Sequence, residues 1–72
     1  MIDLYALPAS SLLTETQAAT ALDLAPGTLS VWRSTGRYNL PYTKVGRLVR
    51  YRVADLLDFI KRRTVTHTGE AL

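Results

Sequence analysis

Two helix starts and two helix stops crowd into residues 14–36, and that crowding constrains the fold more than any other feature of the chain. Thr14-Glu15-Thr16-Gln17 has the form of a capping box, with Thr14 at the N-cap and Gln17 at N3. Leu13 and Ala18 stand where a hydrophobic staple would close over it. Ala18, Ala19 and Leu22 mark one face of a short helix, and the small alanines let a second helix approach closely. The first helix should stop near Asp23, since Asp tolerates a left-handed turn. Pro26 suits the first position of the next helix. Leu29 and Trp32 mark its buried side, and Gly36 is a good C-terminal stop. The pattern predicts helices over about 15–23 and 26–35 with a tight turn between them, which is helix-turn-helix spacing.

Residues 42–63 read as a wing and a closing helix. Two β-prone runs, Tyr42-Thr43-Lys44-Val45 and Leu48-Val49-Arg50-Tyr51-Arg52, flank Gly46-Arg47. A two-residue turn with Gly first is the type II′ hairpin signal. In that register Tyr42 faces Tyr51 and Val45 faces Leu48, cross-strand pairs that would hold the hairpin. Val53, Leu56, Leu57 and Ile60 then fall at the spacing of an amphipathic helix running to about Arg63. Asp55 lies in its first turn and Lys61, Arg62 and Arg63 in its last, both favourable to the helix dipole. The expected organisation is a loosely packed arm over 1–11, one winged helix-turn-helix domain over 12–63, and a disordered tail over 64–72. The fold class is mainly α with a small β-hairpin.

A chain of 72 residues is one domain with a marginal core, and without cysteine it has neither a disulfide nor a thiolate metal site to staple it. The absence of cysteine fits a reducing cytoplasm. No apolar run approaches a membrane span, and the first residues carry no basic stretch of the secretory kind. The charge is unevenly placed. All nine Lys and Arg lie within 33–63, where only Asp55 and Asp58 offset them, so that stretch is strongly cationic while residues 1–32 are acidic. A basic half suits a polyanion, although a solvated cationic face has the same composition. Catalytic signatures are missing: the one His is His67 in the tail, and there is no HExxH, Walker loop or nucleophile elbow. No enzymatic activity, metal, cofactor or small-molecule ligand is expected, and no membrane partner.

With these pieces in order, the chain resembles the excisionase-like and MerR-like winged helix-turn-helix family. The matching segments are LLTETQAA at 12–19, APGTLSVW at 25–32, GR at 36–37, LPYTKVGR at 40–47, VRYR at 49–52 and ADL at 54–56. The resemblance implies a small double-stranded DNA-binding protein of phages, prophages or other mobile elements. It would act as a recombination directionality factor or a transcriptional regulator, in a bacterial cytoplasm at the nucleoid. In the recombination role an integrase would be its protein partner. The resemblance also implies that the second helix enters the major groove and that the Gly46-Arg47 wing touches backbone or minor groove. Two positions depart from the family: Ala25 stands where Ser usually precedes Pro26, and Gly27 where Arg or Lys is common. The first removes a side-chain N-cap and the second an electrostatic anchor at the helix entry.

On the reading helix the expected contact residues are Gly27, Thr28, Ser30, Val31, Arg33 and Ser34. Thr28 and Ser34 would bond base edges or phosphate, and Val31 would meet a thymine methyl. Arg33 has two readings, a clamp on guanine or phosphate and a cover for Trp32. Arg37 reads as a phosphate anchor, as do Arg47 at the hairpin tip and Lys44 beside it. Arg50 is the last candidate, with the alternative that Arg50 or Arg52 pairs with Asp55 or Asp58 and ties the wing to the last helix. Lys61, Arg62 and Arg63 read as helix-end charges. Trp32 reads as core, and Tyr38, Tyr42 and Tyr51 as packing residues rather than a single-strand stacking platform. One such module offers few base contacts, so cooperative self-association on DNA is expected. Two rival functions share the fold: the DNA-recognition domain of a phage packaging small subunit, and a protein-interaction module that has lost DNA binding.

Overall fold

Two connected hydrogen bonds start the ordered domain. In the computed structural model, which describes residues 2–64, the Thr14 hydroxyl accepts from the Gln17 amide at 3.1 Å and the Gln17 side chain accepts from the Thr14 amide at 3.0 Å. This capping box opens helix α1, Glu15–Ala21. Leu22 closes it, and Asp23 turns the chain with a left-handed φ of 59°. Helix α2 is Thr28–Thr35, capped by Gly36 at φ 71°. It begins later than expected: Pro26 lies in the turn, Thr28 N–H bonds back to the Ala25 carbonyl, and Gly27 is an N-cap with no side-chain bond. The cap that a Ser would supply is absent, so the first turn is not extended back to Pro26.

Beyond a kinked turn at Arg37–Asn39 come strands β2, Thr43–Val45, and β3, Leu48–Arg52, and then helix α3, Val53–Arg63. The hairpin register is the expected one, with Val45 opposite Leu48 and the Tyr42 and Tyr51 rings 6.4 Å apart. Gly46 has φ 64° and Arg47 is not in the left-handed region, as a type II′ turn requires. The sheet has one strand more than the sequence suggested. Strand β1, Leu12–Thr14, pairs antiparallel with β3, giving the order β1-β3-β2. The architecture is a winged helix-turn-helix with a three-stranded antiparallel sheet.

The core lies where the sheet and the helices meet. Ala18 and Ala19 of α1, Leu29 of α2, Tyr51 of β3, and Val53, Leu56 and Phe59 of α3 are all buried. Trp32 is only half-buried, packed on this cluster and tilted against Phe59 at 5.8 Å between centroids. Phe59 carries more of the α3 contact than the apolar spacing indicated, while Leu57 and Ile60 are half-buried at its edge.

The arm is not loose. Its Leu4 is buried in the core, in a short 3-10 turn at Leu4–Ala6 that Asp3 caps, and Ile2 and Leu7 pack around it. The reason lies in α3, whose N-cap Arg52 makes no side-chain cap bond. The orphan amides at that helix start are satisfied by the arm instead: Val53 N–H donates to the Ser11 carbonyl and Ala54 N–H to the Ala9 carbonyl, each at 3.0 Å. The arm, from Ile2 to Ser11, is therefore part of the domain. The expected tail, apart from Thr64, lies outside the described residues.

Candidate nucleic-acid interface

Burial of Leu29 and half-burial of Trp32 fix which side of α2 faces the core, and the opposite side is open. Val31, at its centre, is 55% exposed, with Ser30 and Ser34 exposed and Thr28 half-buried beside Gly27 at the helix entry. Of the hydroxyls, Ser34 already donates to the Val31 carbonyl at 3.1 Å, and Thr35 donates to the same carbonyl at 2.8 Å. Ser34 can therefore present an acceptor outward while its proton is held by the helix. Thr28 forms no such side-chain bond among the described residues and keeps both roles.

Arg33 is drawn inward, contrary to its expected place among the reading residues. Its Nη1 donates to Glu15 Oε1 at 3.0 Å and to the Tyr51 hydroxyl at 2.9 Å, and its guanidinium lies 5.5 Å from the Tyr42 ring centroid. Burial alone would lower the pKa of Arg33, but the bonds to Tyr51 and Glu15 outweigh it and the net direction is upward. Burial is also the main reason that the Tyr51 phenol is pushed up, with the Arg33 bond opposing. One side chain thus ties α1, α2 and β3 together. It fixes α2 against the wing through its Nη1 alone. Neither reading of Arg33 weighed from the sequence, nucleic-acid contact or cover for Trp32, describes this arrangement.

The remaining cations sort by whether a carboxylate meets them. Arg52 pairs with Asp55 through two bonds, at 3.0 and 3.2 Å, and Arg62 pairs with Asp58 at 2.9 Å. The Asp55 contact sets the Arg52 pKa upward. The tie between wing and α3 is therefore made by Arg52 rather than Arg50. Arg50 lies half-buried in the central strand with Nη1 on the Val49 carbonyl at 2.9 Å, which holds part of its guanidinium against the sheet. Arg37, Lys44, Arg47, Lys61 and Arg63 have no carboxylate partner among the described residues.

Residues 12–64 match the family model described as a helix-turn-helix domain. The chain belongs to the helix-turn-helix domain family. A search of curated proteins finds no match to it. Helix-turn-helix domains dock on duplex DNA with the second helix of the motif in the major groove, so duplex DNA is the partner that membership suggests.

In this helix-turn-helix domain the expected wing residues Lys44 and Arg47 are both exposed on the hairpin. Beside them Val45 and Leu48 are 50% and 53% exposed, so the cross-strand pair that shapes the hairpin also gives the wing an apolar tip. Sequence reasoning assigned that pair to hairpin stability alone. No helix among the described residues is long and apolar enough to cross a membrane.

Proposed function

We propose that the chain binds double-stranded DNA sequence-specifically, with the outer face of α2 in the major groove and the β2–β3 wing against the backbone or minor groove. The observation that carries this reading is the combination of an open reading face, centred on Val31, with a wing whose Lys44 and Arg47 have no acidic partner among the described residues. Phosphate contacts by such cations give affinity, and base contacts by Thr28 and Val31 give preference among sequences. Gly27 lets the DNA backbone approach the helix entry closely, since no side chain stands there. The protein acts by binding, without a cofactor and without catalysis, in a bacterial cytoplasm at the nucleoid.

The family resemblance extends the proposal to a role as an excisionase-type directionality factor beside an integrase or as a prophage regulator. A single module buries only about 600–1,000 Å² on DNA. Genome-scale specificity then calls for several copies on neighbouring half-sites, binding cooperatively. Binding-site selection from a random duplex library tests the reading helix. Val31→Ala and Thr28→Ala should each alter the selected profile at one or two positions, with losses of roughly 1–3 kcal/mol per base contact removed. Profiles identical to the wild type would contradict the placement of α2.

A further inference from the structure

Just beyond α2 the backbone takes a costly course. Gly36, Tyr38 and Asn39 have φ of 71°, 62° and 52°. Glycine adopts that region freely, but a bulky aromatic residue does so only where its surroundings hold it there. What holds Tyr38 is a set of contacts on its ring. Trp32 meets it edge-on at 4.6 Å between centroids, and two guanidinium groups lie against it, Arg37 at 5.4 Å and Arg63 at 4.6 Å. Arg63 comes from the last turn of α3 and also lies 5.6 Å from the Phe59 ring.

The two cations are an electrostatic imbalance. Neighbouring Arg62 is neutralised by Asp58, yet neither Arg37 nor Arg63 meets a carboxylate among the described residues. Like charges brought to one ring repel, and the ring quadrupole offsets this only in part. A guanidinium that lies over a ring keeps in-plane N–H donors directed past the ring edge, in the fork geometry that suits phosphate oxygens. Tyr38 is 38% exposed, so the cluster is reachable from solvent.

We propose that Arg37, Tyr38 and Arg63 form a phosphodiester clamp that grips the DNA backbone at the C-terminal end of α2. The proposal rests on the duplex-DNA reading above. It makes the end of α3 part of the interface and gives the strained tyrosine a purpose: its ring sets two arginines, distant in sequence, around one anion site.

The test is a fluorescence-anisotropy titration of a duplex selected by the wild-type protein, at several salt concentrations, with thermal melts to show that each variant is folded. Arg63→Ala should weaken binding roughly tenfold, as loss of a charge-assisted hydrogen bond does, and lower the salt slope by about one. Tyr38→Leu, which keeps bulk and backbone strain but removes the ring, should weaken binding by a similar factor. Lys61→Ala, an exposed cation in the same turn as Arg63, should change affinity by less than about twofold, within the range of a non-contacting surface charge. The Arg37→Ala/Arg63→Ala double variant should lose less than the product of the two single losses, because both act on one phosphate. Wild-type binding that survives Arg63→Ala unchanged, or with only the loss caused by Lys61→Ala, overturns the clamp and leaves duplex binding standing. Failure of the wild type to bind duplex DNA at low salt removes the DNA reading and the clamp with it.

Discussion

Replacing Arg33 by alanine separates a structural arginine from a base-reading one. The Arg33–Glu15 pair has side-chain exposures of 21% and 27%, so solvent screens it less than it screens a surface pair, and about 1 kcal/mol goes with it. The Tyr51 hydroxyl belongs to a residue only 1% exposed, and its hydrogen-bond donor in the structure is Arg33. Leaving that oxygen without a partner costs about 1–3 kcal/mol. The two losses share one guanidinium and do not simply add, so Arg33→Ala should destabilise the domain by less than their sum, about 1–3 kcal/mol. A domain of this length holds roughly 4–11 kcal/mol in all, so the variant stays folded at 25 °C with a visibly lower urea midpoint. Its Tm should fall by at least roughly 4 °C, taking about 4–8 °C per kcal/mol at this size. Tyr51→Phe, which removes only the acceptor, should cost about 1 kcal/mol. Urea melts monitored by tryptophan fluorescence measure all of this. If Arg33→Ala costs under about 0.5 kcal/mol, the usual range for a surface substitution, the clamp is wrong and Arg33 returns to the reading face.

The arm and the buried phenol give two further tests. Leu4→Ala should cost about 2–4 kcal/mol, because Leu4 is 4% exposed in the core; a thermal melt unchanged from the wild type would restore the arm to a loose appendage. Tyr51 holds its proton longer folded than unfolded, its pKa being raised from an ordinary 10.0. Its contribution is therefore complete below that value and is lost as pH rises through and above it. Urea midpoints should fall across that alkaline range, and the fall should be smaller in Tyr51→Phe; equal slopes in the two proteins would contradict the assignment.

Much of this fold was legible because its signals are local. Thr14 and Gln17 satisfy each other within one turn, Gly36 is one of few residues at ease with a positive φ, and Gly46-Arg47 dictates the hairpin register on its own. What escaped depends on partners far apart in sequence. Leu12–Thr14 looked like a helix preamble, and only the return of β3 makes it a strand. The arm has no periodicity of its own; it is ordered because α3 begins without a side-chain cap and needs the Ala9 and Ser11 carbonyls. Pro26 suggested too early a start for α2 because its preference for a first helical position is equally served by a turn. At the interface, exposure of Val31 and Lys44 came directly from the helix and hairpin patterns. The fates of Arg33 and Arg63 turned on Glu15 and Tyr38, which no sequence spacing brings together, whereas Arg50 folds back on the carbonyl of its own neighbour Val49.

The central claim is that this face meets duplex DNA through its unneutralised cations, and the salt dependence of binding tests it most directly. Titrating the wild-type protein into a fluorescent duplex at a series of salt concentrations gives the slope of log K against log salt. If three or four of the cations Arg37, Lys44, Arg47 and Arg63 neutralise phosphates, the slope should be about −3 to −4. Arg47→Ala should make it shallower by about one on every duplex tested. A slope near zero, or binding that Arg47→Ala leaves unchanged at every salt concentration, would contradict the claim.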